Sequence, residues 1–335
     1  MFRRLYQVAA AALLLPALLS GALAAPPVCS GRDMLAEMQA EDPAAYARVM
    51  AAARATSDAR NVLWRIERDG VPPSYLFGTM HLTDDRVNAL SDNMRAALNS
   101  VRQIAVEVAD VSPPSVAAAM GKLGELVTFR DGSTLETRLS KEQFEIARSA
   151  LVAAGIPAQA APLLRPWVVT MSLALTACER LRAASGLAPL DMRIGEHGKQ
   201  RGIAVVGLET LEGQLHALAT VPEQDQLELL KVTLKYYDRT DDLLETMIRR
   251  YLARDIGAIW PFQLELARKG GYAPEAFKSF EHQVVAVRNA SMRDAALPML
   301  KDGGVFIAVG ALHLPGKIGL VALLREAGFS LVPVE

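Results

Sequence analysis

The chain is poor in cysteine: it has two in 335 residues, Cys29 and Cys178. That excludes a small scaffold held together by disulfides. It also lacks a charge imbalance. Lysine and arginine number 36, aspartate and glutamate 37, and the formal net charge is -1. With no basic block, nothing supplies the electrostatic footprint of a nucleic-acid binder, and no nucleic-acid partner is expected. The low hydrophobicity of a disordered chain is missing too, because apolar types make up 51% of the residues. No His-Glu-x-x-His zinc motif occurs. Nor is there a Gly-x-Ser-x-Gly elbow, a P-loop or a dinucleotide fingerprint, which argues against elbow-type serine hydrolases, common NTPases and Rossmann oxidoreductases.

Long apolar runs are scarce as well. Val8 to Leu19 is apolar apart from Pro16, follows Arg3 and Arg4, and leads into Ala22-Leu23-Ala24. A membrane span takes about 20 apolar residues, more than this run offers. The pattern predicts a signal peptide over 1–24 with cleavage after Ala24, and hence an exported protein, periplasmic or secreted. No membrane span is expected after cleavage. The apolar stretch Trp167 to Cys178 stops at Glu179-Arg180 and reads as a core helix. In an oxidising compartment Cys29 and Cys178 either form one disulfide, stapling the N-terminal segment to the middle of the chain, or stand as two thiols.

Over 25–335 the pattern predicts a single domain. Strands are expected at Val62–Glu67, Tyr75–Thr79, Gln103–Val108, Ile203–Leu208, Val305–Val309 and Phe329–Val334. Helices are expected over Asp33–Ala55, split at Pro43 with Asp42 as cap, and over Arg86–Ser100. A Ser140/Gln143 capping box opens another. Pro162–Ser185 reads as largely helical, interrupted near Pro166, and Asp191 reads as the cap of a helix closing near Gly202. Helices dominate again from Glu209 to Met299. The expected fold class is α/β (mixed α+β): a central mixed sheet with a large helical insert.

Two turns match. Tyr75-Leu76-Phe77 runs into Gly78-Thr79-Met80-His81-Leu82, and Ile307-Ala308-Val309 into Gly310-Ala311-Leu312-His313-Leu314. Each is an apolar strand followed by Gly-x-x-His. A histidine just past a strand end sits where α/β sheets place their ligands. If both strands are central in one sheet, the imidazoles converge, and neutral imidazole is a common transition-metal ligand. Glu107 ends a third apolar strand, where a carboxylate is costly unless paired, hydrogen-bonded or metal-bound. His81, His313 and Glu107 would make a two-histidine, one-carboxylate site able to activate water. Each histidine taken alone could equally be a hydrogen-bonded core residue, and Glu107 a strand-end salt bridge.

The ordered set of motifs resembles the TraB/GumN family, which includes the Tiki proteins. The set comprises both Gly-x-x-His turns, Glu107, Gly207-Leu208-Glu209-Thr210 with Gln214, Arg288-Asn289-x-x-Met292, and Val309-Gly310-Ala311-x-His313-Leu314-x-Gly316-x-x-Gly319. The resemblance spans roughly Val62 to Val334. It implies a fold related to the EreA/ChaN-like proteins and, from the Tiki branch, metal-dependent peptidase chemistry supported by manganese or cobalt. The family's functional positions fall on His81, Glu107, Arg288 and His313. Bacterial members are associated with exopolysaccharide gene clusters or with pheromone shutdown, so fold transfers further than substrate.

The expectation is an exported metal-dependent hydrolase acting on a peptide or protein, with a divalent ion (Mn, Co or Zn) between His81 and His313. Glu107 would be third ligand or general base, and Arg288 would hold a substrate carboxylate or an oxyanion, or else form a structural ion pair. Glu209 and Gln214 would cap a helix or orient a ligand histidine. The competing expectation is a non-catalytic accessory or binding protein of envelope polysaccharide export. Asp84 and Asp85 read as a turn or cap before Arg86, His197 and His282 as surface residues, and His216 as a helix residue that can face the site.

Overall fold

The computed structural model describes residues 27–335. The expected signal peptide lies outside them. Six strands form one sheet: β1 (Leu63–Glu67), β2 (Ser74–Thr79), β3 (Gln103–Val106), β4 (Ala204–Gly207), β5 (Val305–Gly310) and β6 (Ser330–Pro333). Their order across the sheet is β4-β3-β5-β2-β1-β6. β4, β3, β5 and β2 run parallel, while β1 is antiparallel to both β2 and β6. The mixed α/β class expected from the sequence is therefore the class observed.

β2 and β5 are neighbours at the centre. Their near-continuous apolar runs, Leu76-Phe77 and Val305 to Val309, are buried, as a sheet covered on both faces requires. They pair in parallel with Gly78 opposite Val309 and Thr79 opposite Gly310. Gly78 has a local reason: a Cβ there would stand 3.0 Å from the Ala311 Cα, so the close passage of β2 under the turn after β5 favours glycine. The sheet carries the main core, which includes Phe77, Ile104, Phe306, Met292 and Val321. The helices between β3 and β4 build a second core of their own with the helix Glu223–Lys235, using Phe144, Leu151, Trp167, Leu173 and Leu230. A third, small core joins Leu35 and Val49 of the first two helices to Phe262.

Local signals explain the helix ends. Asp42 caps Pro43–Ala55, and the Ser140/Gln143 capping box opens Lys141–Ala153. Two stretches are more broken than their apolar spacing implies. Residues 85–100 hold two helices, Asp85–Asn88 and Asp92–Asn99, because Ser91 caps the second. Residues 158–184 hold a 3-10 segment and two helices, Pro166–Leu173 and Ala177–Ala184, the last capped by Thr176. A π-helical segment, Glu281–Val287, leads into Arg288–Asp302. Such segments recur near functional positions. Cys29 and Cys178 are joined by a disulfide, with Cα atoms 5.6 Å apart. Among the described residues no helix is long and apolar enough to cross a membrane.

Candidate active site

The strand order brings three chain ends side by side. Glu107 follows β3, His313 lies in the 3-10 turn after β5, and His81 follows β2. All three are at the carboxyl edge of the parallel strands, where open α/β sheets bind ligands. His81 Nε2 is 3.9 Å and His313 Nε2 3.8 Å from the same oxygen, Glu107 Oε1. Gly310 forms the floor between them. A Cβ built there would lie 3.2 Å from Glu107 Oε1, 3.5 Å from His313 Cδ2 and 3.5 Å from His81 Nε2. The missing side chain is thus the space the three groups face.

Glu107 is buried and held by three donors. Its Oε1 accepts from the Gly310 N–H at 2.5 Å, and its Oε2 from Gln214 Nε2 at 2.8 Å and Arg288 Nη2 at 2.7 Å. Burial works against its charged form. The facing His313 and His81, the Arg288 guanidinium and the Gly310 N–H outweigh that and hold the carboxyl down at about 2. Arg288 is buried too. It donates from Nε to both Glu209 oxygens at 3.1 Å and also pairs through Nη2 with Glu209. Its Nη1 stands 3.4 Å from the Val284 carbonyl oxygen. In this structure the guanidinium therefore holds Glu107 and Glu209, the structural ion pair rather than an open grip for a substrate anion. Glu209 and Gln214 serve Arg288 and Glu107 rather than a histidine ring nitrogen.

The groups behind the histidines are different ones. His313 Nδ1 is 2.6 Å from Asn289 Oδ1, and Asn289 Nδ2 donates to the carbonyls of His313 and Ile318 at 3.3 and 2.7 Å. An amide oxygen can only accept, so His313 carries its proton on Nδ1 and leaves Nε2 as a lone pair toward Glu107. Burial pushes His313 down to about 4; Glu107 opposes this, while Arg288 and His81 add to it. His81 Nδ1 is 3.1 Å from Asp191 Oδ1. Desolvation lowers its pKa, but contact with Asp191 and the charges of Asp191 and Glu107 push it up to about 9. With 55% of its side chain open against 8% for His313, solvent screens part of that shift.

Asp191 is thus not the cap expected of it. Pro189 takes that position for Leu190–Gln200, and Asp191 in the first turn turns to His81. Asn289 is visible in the sequence only as the companion of Arg288. Elsewhere the histidines have no part here: His216 and His282 are exposed, and His197 contacts Asn99 at 3.2 Å. Asp84 caps the short helix after it and pairs with Arg86.

The donor set suits a divalent ion: two imidazoles with Nδ1 engaged from behind, and a carboxylate. The spacing is wider than a closed site. Ligands at about 2.1 Å in tetrahedral array stand about 3.4 Å apart. As they stand, no group of three or more His, Cys, Asp or Glu side chains among the described residues is gathered closely enough to hold a metal ion. To hold an ion, both rings would have to move closer to Glu107 Oε1.

Comparison with known proteins places the chain. A protein described as "Uncharacterized protein YbaP" from Shigella flexneri is 27% identical over 254 residues, covering 75% of this chain and 88% of that protein. Its counterpart in Escherichia coli K12 is 27% identical over 253 residues, covering 75% and 87%. "Metalloprotease TIKI2" of Xenopus tropicalis is 22% identical over 323 residues; these cover 82% of this chain but only 60% of that protein. No solved structure matches. The TraB/PrgY/gumN family model matches residues 62–333, a span that takes in all six strands, both Gly-x-x-His turns and the groups behind them, and the chain belongs to that family.

Proposed function

We propose that this protein is an exported, metal-dependent hydrolase that cleaves a peptide or protein. The observation that carries the reading is the convergence of His81 Nε2 and His313 Nε2 on Glu107 Oε1 above the bare floor of Gly310. The likeness to a protein named a metalloprotease supports the chemical class. The signal-like N-terminus supports export.

His81 and His313 would hold the ion through Nε2, because Asn289 takes the Nδ1 of His313 and Asp191 Oδ1 stands 3.1 Å from the Nδ1 of His81. When bound, a divalent ion lowers the pKa of a water and polarises a carbonyl. Glu107, ionised at neutral pH, is the third ligand or the base that takes a proton at Oε1, the oxygen that faces both rings. Its Oε2 is pinned by Arg288 and Gln214, so the carboxylate keeps that orientation. Arg288 is a positioning residue, fixed in turn by Glu209. His81 has to release its proton before it can ligate.

The test is elemental analysis of the purified protein, followed by a peptide-library cleavage assay with manganese, cobalt and zinc. A bound divalent ion and cleavage that a chelator abolishes and metal restores are expected. A protein that takes up no divalent ion, cleaves nothing and binds carbohydrate would replace this reading with the accessory role in polysaccharide export.

A further inference from the structure

His81 is held in place from outside the sheet. Two residues beyond it, Thr83 is buried, and all its polar groups go to one helix, Ala177–Ala184. The Thr83 N–H donates to Glu179 Oε2 at 2.9 Å and its hydroxyl to the same oxygen at 2.8 Å. The hydroxyl accepts from Arg182 Nε at 3.0 Å, and the Thr83 carbonyl accepts from Arg182 Nη2 at 2.8 Å. Glu179 and Arg182 are themselves 3% and 4% exposed. Between His81 and Thr83 the chain is tight, with the Leu82 N–H on the Met80 carbonyl at 2.8 Å. A shift at Thr83 is therefore passed to the imidazole.

The helix is anchored in turn. Cys178 is bonded to Cys29, and Arg182 Nη1 donates to the Pro27 carbonyl at 3.0 Å. Glu179 Oε1 is buried without a hydrogen-bond partner. Burying charges this way gives little stability and can serve to select one conformation.

We propose that Glu179 and Arg182 are positioning residues that set His81 through Thr83, with the Cys29–Cys178 disulfide holding their helix in register. The proposal rests on reading His81 as a functional group of the site. It assigns the two histidines to different supports: β5 and Asn289 fix His313, and the helical insert fixes His81.

The experiment uses the purified, oxidised protein labelled with 15N-histidine, the ring signals of His81 and His313 being assigned with single His→Gln variants. In Thr83→Val and in Glu179→Gln, the His81 signals should shift or broaden while those of His313 stay. Thr83→Ser, which keeps the N–H, the hydroxyl and the carbonyl, should restore the wild-type spectrum. Zinc affinity should fall about tenfold in the first two variants, the lower end for groups supporting a ligand histidine. If a variant fails to fold, hydrogen exchange over residues 79–85 of the wild-type protein, before and after reduction by a dithiol, carries the test; exchange should speed up on reduction. Unchanged His81 signals in a folded Thr83→Val protein, or exchange indifferent to reduction, would overturn the proposal. The ring signals and the exchange need no metal. A wild-type protein that binds none, yet whose His81 responds, would count against the hydrolase reading and leave the positioning role standing.

Discussion

Gly310→Ala separates the site from the fold more cleanly than removing a ligand does. The backbone at Gly310 has φ -54° and ψ 136°, a region open to any residue, so alanine brings no backbone strain. The Gly310 N–H that binds Glu107 is kept. The added methyl would meet Glu107 Oε1 at 3.2 Å, tighter than an ordinary contact by a few tenths of an ångström, and the two rings at 3.5 Å, ordinary contact. The slight crowding is offset by the lower chain entropy of unfolded alanine, worth about 0.4–1 kcal/mol. The net change in stability should stay within about 1 kcal/mol.

Binding should behave otherwise. The methyl fills the space that His81, His313 and Glu107 all face, and an ion bound to both rings would press against it. We expect metal affinity to fall by about a hundredfold or more, roughly 2.7 kcal/mol, and hydrolysis with it. Thermal unfolding and zinc titration on the same preparation make the assay. A Gly310→Ala protein that unfolds like wild type and still binds metal with wild-type affinity would show that the space above Gly310 is not where the ion sits.

Three further outcomes follow from the same geometry. His81→Ala and His313→Ala should each lose metal and hydrolysis together, whereas His197→Ala and His282→Ala should change neither and cost less than about 0.5 kcal/mol, as most surface substitutions do; a fully metallated, active His313→Ala variant would refute the catalytic reading. Glu107→Gln keeps the shape and removes the base, so turnover should drop by about 10²–10⁴-fold, with metal retained if Glu107 is only the base and weakened if it is also a ligand; kcat and metal content together tell the two apart. In pH, His81 is raised from an ordinary 6.5 to about 9, so the stability from its charged contact with Asp191 is complete below 6.5 and lost as pH rises through 9. His313 and Glu107 are depressed, so their contributions are lost as pH falls from 6.5 through 4 and from 4.5 toward 2. Metal affinity should climb between pH 6 and 9 as His81 gives up its proton, and a flat titration profile over that range would contradict the assignment.

Much of the sheet is legible in the sequence because each strand is a short apolar or alternating run bounded by glycine, proline or charge. Observed strand ends lie within about two residues of the expected ones. The order β4-β3-β5-β2-β1-β6 is not legible, since it depends on pairings such as Gly78 with Val309 that no local pattern encodes. Helix continuity fails where a serine or threonine has two roles open to it: Ser91 and Thr176 cap new helices inside stretches whose apolar spacing continues. Asp191 fails for the same reason in reverse. In sequence it looks like a cap, and only the fold of the insert carries it to His81. Glu107 stands out as a charge at the end of an apolar strand, but its partners Arg288 and Gln214 come from distant parts of the chain.

The two Gly-x-x-His turns look interchangeable in sequence, and the structure makes them unlike. β5 lies between β3 and β2, so His313 is enclosed on both sides, is 8% exposed, and is backed by a neutral amide. Its proton is fixed on Nδ1 and its pKa is depressed. As a ligand it would need no change of protonation at neutral pH. β2 has β1 on its other side, an antiparallel strand that runs away from the site, so the turn after β2 is open there. His81 is left half-exposed and backed by a carboxylate, which favours its protonated form. As a ligand, His81 would therefore first have to release its proton. On the metal-site reading proposed above, an open ring with a raised pKa beside a closed one with a depressed pKa would make His313 the anchor of the site and His81 the arm that completes it.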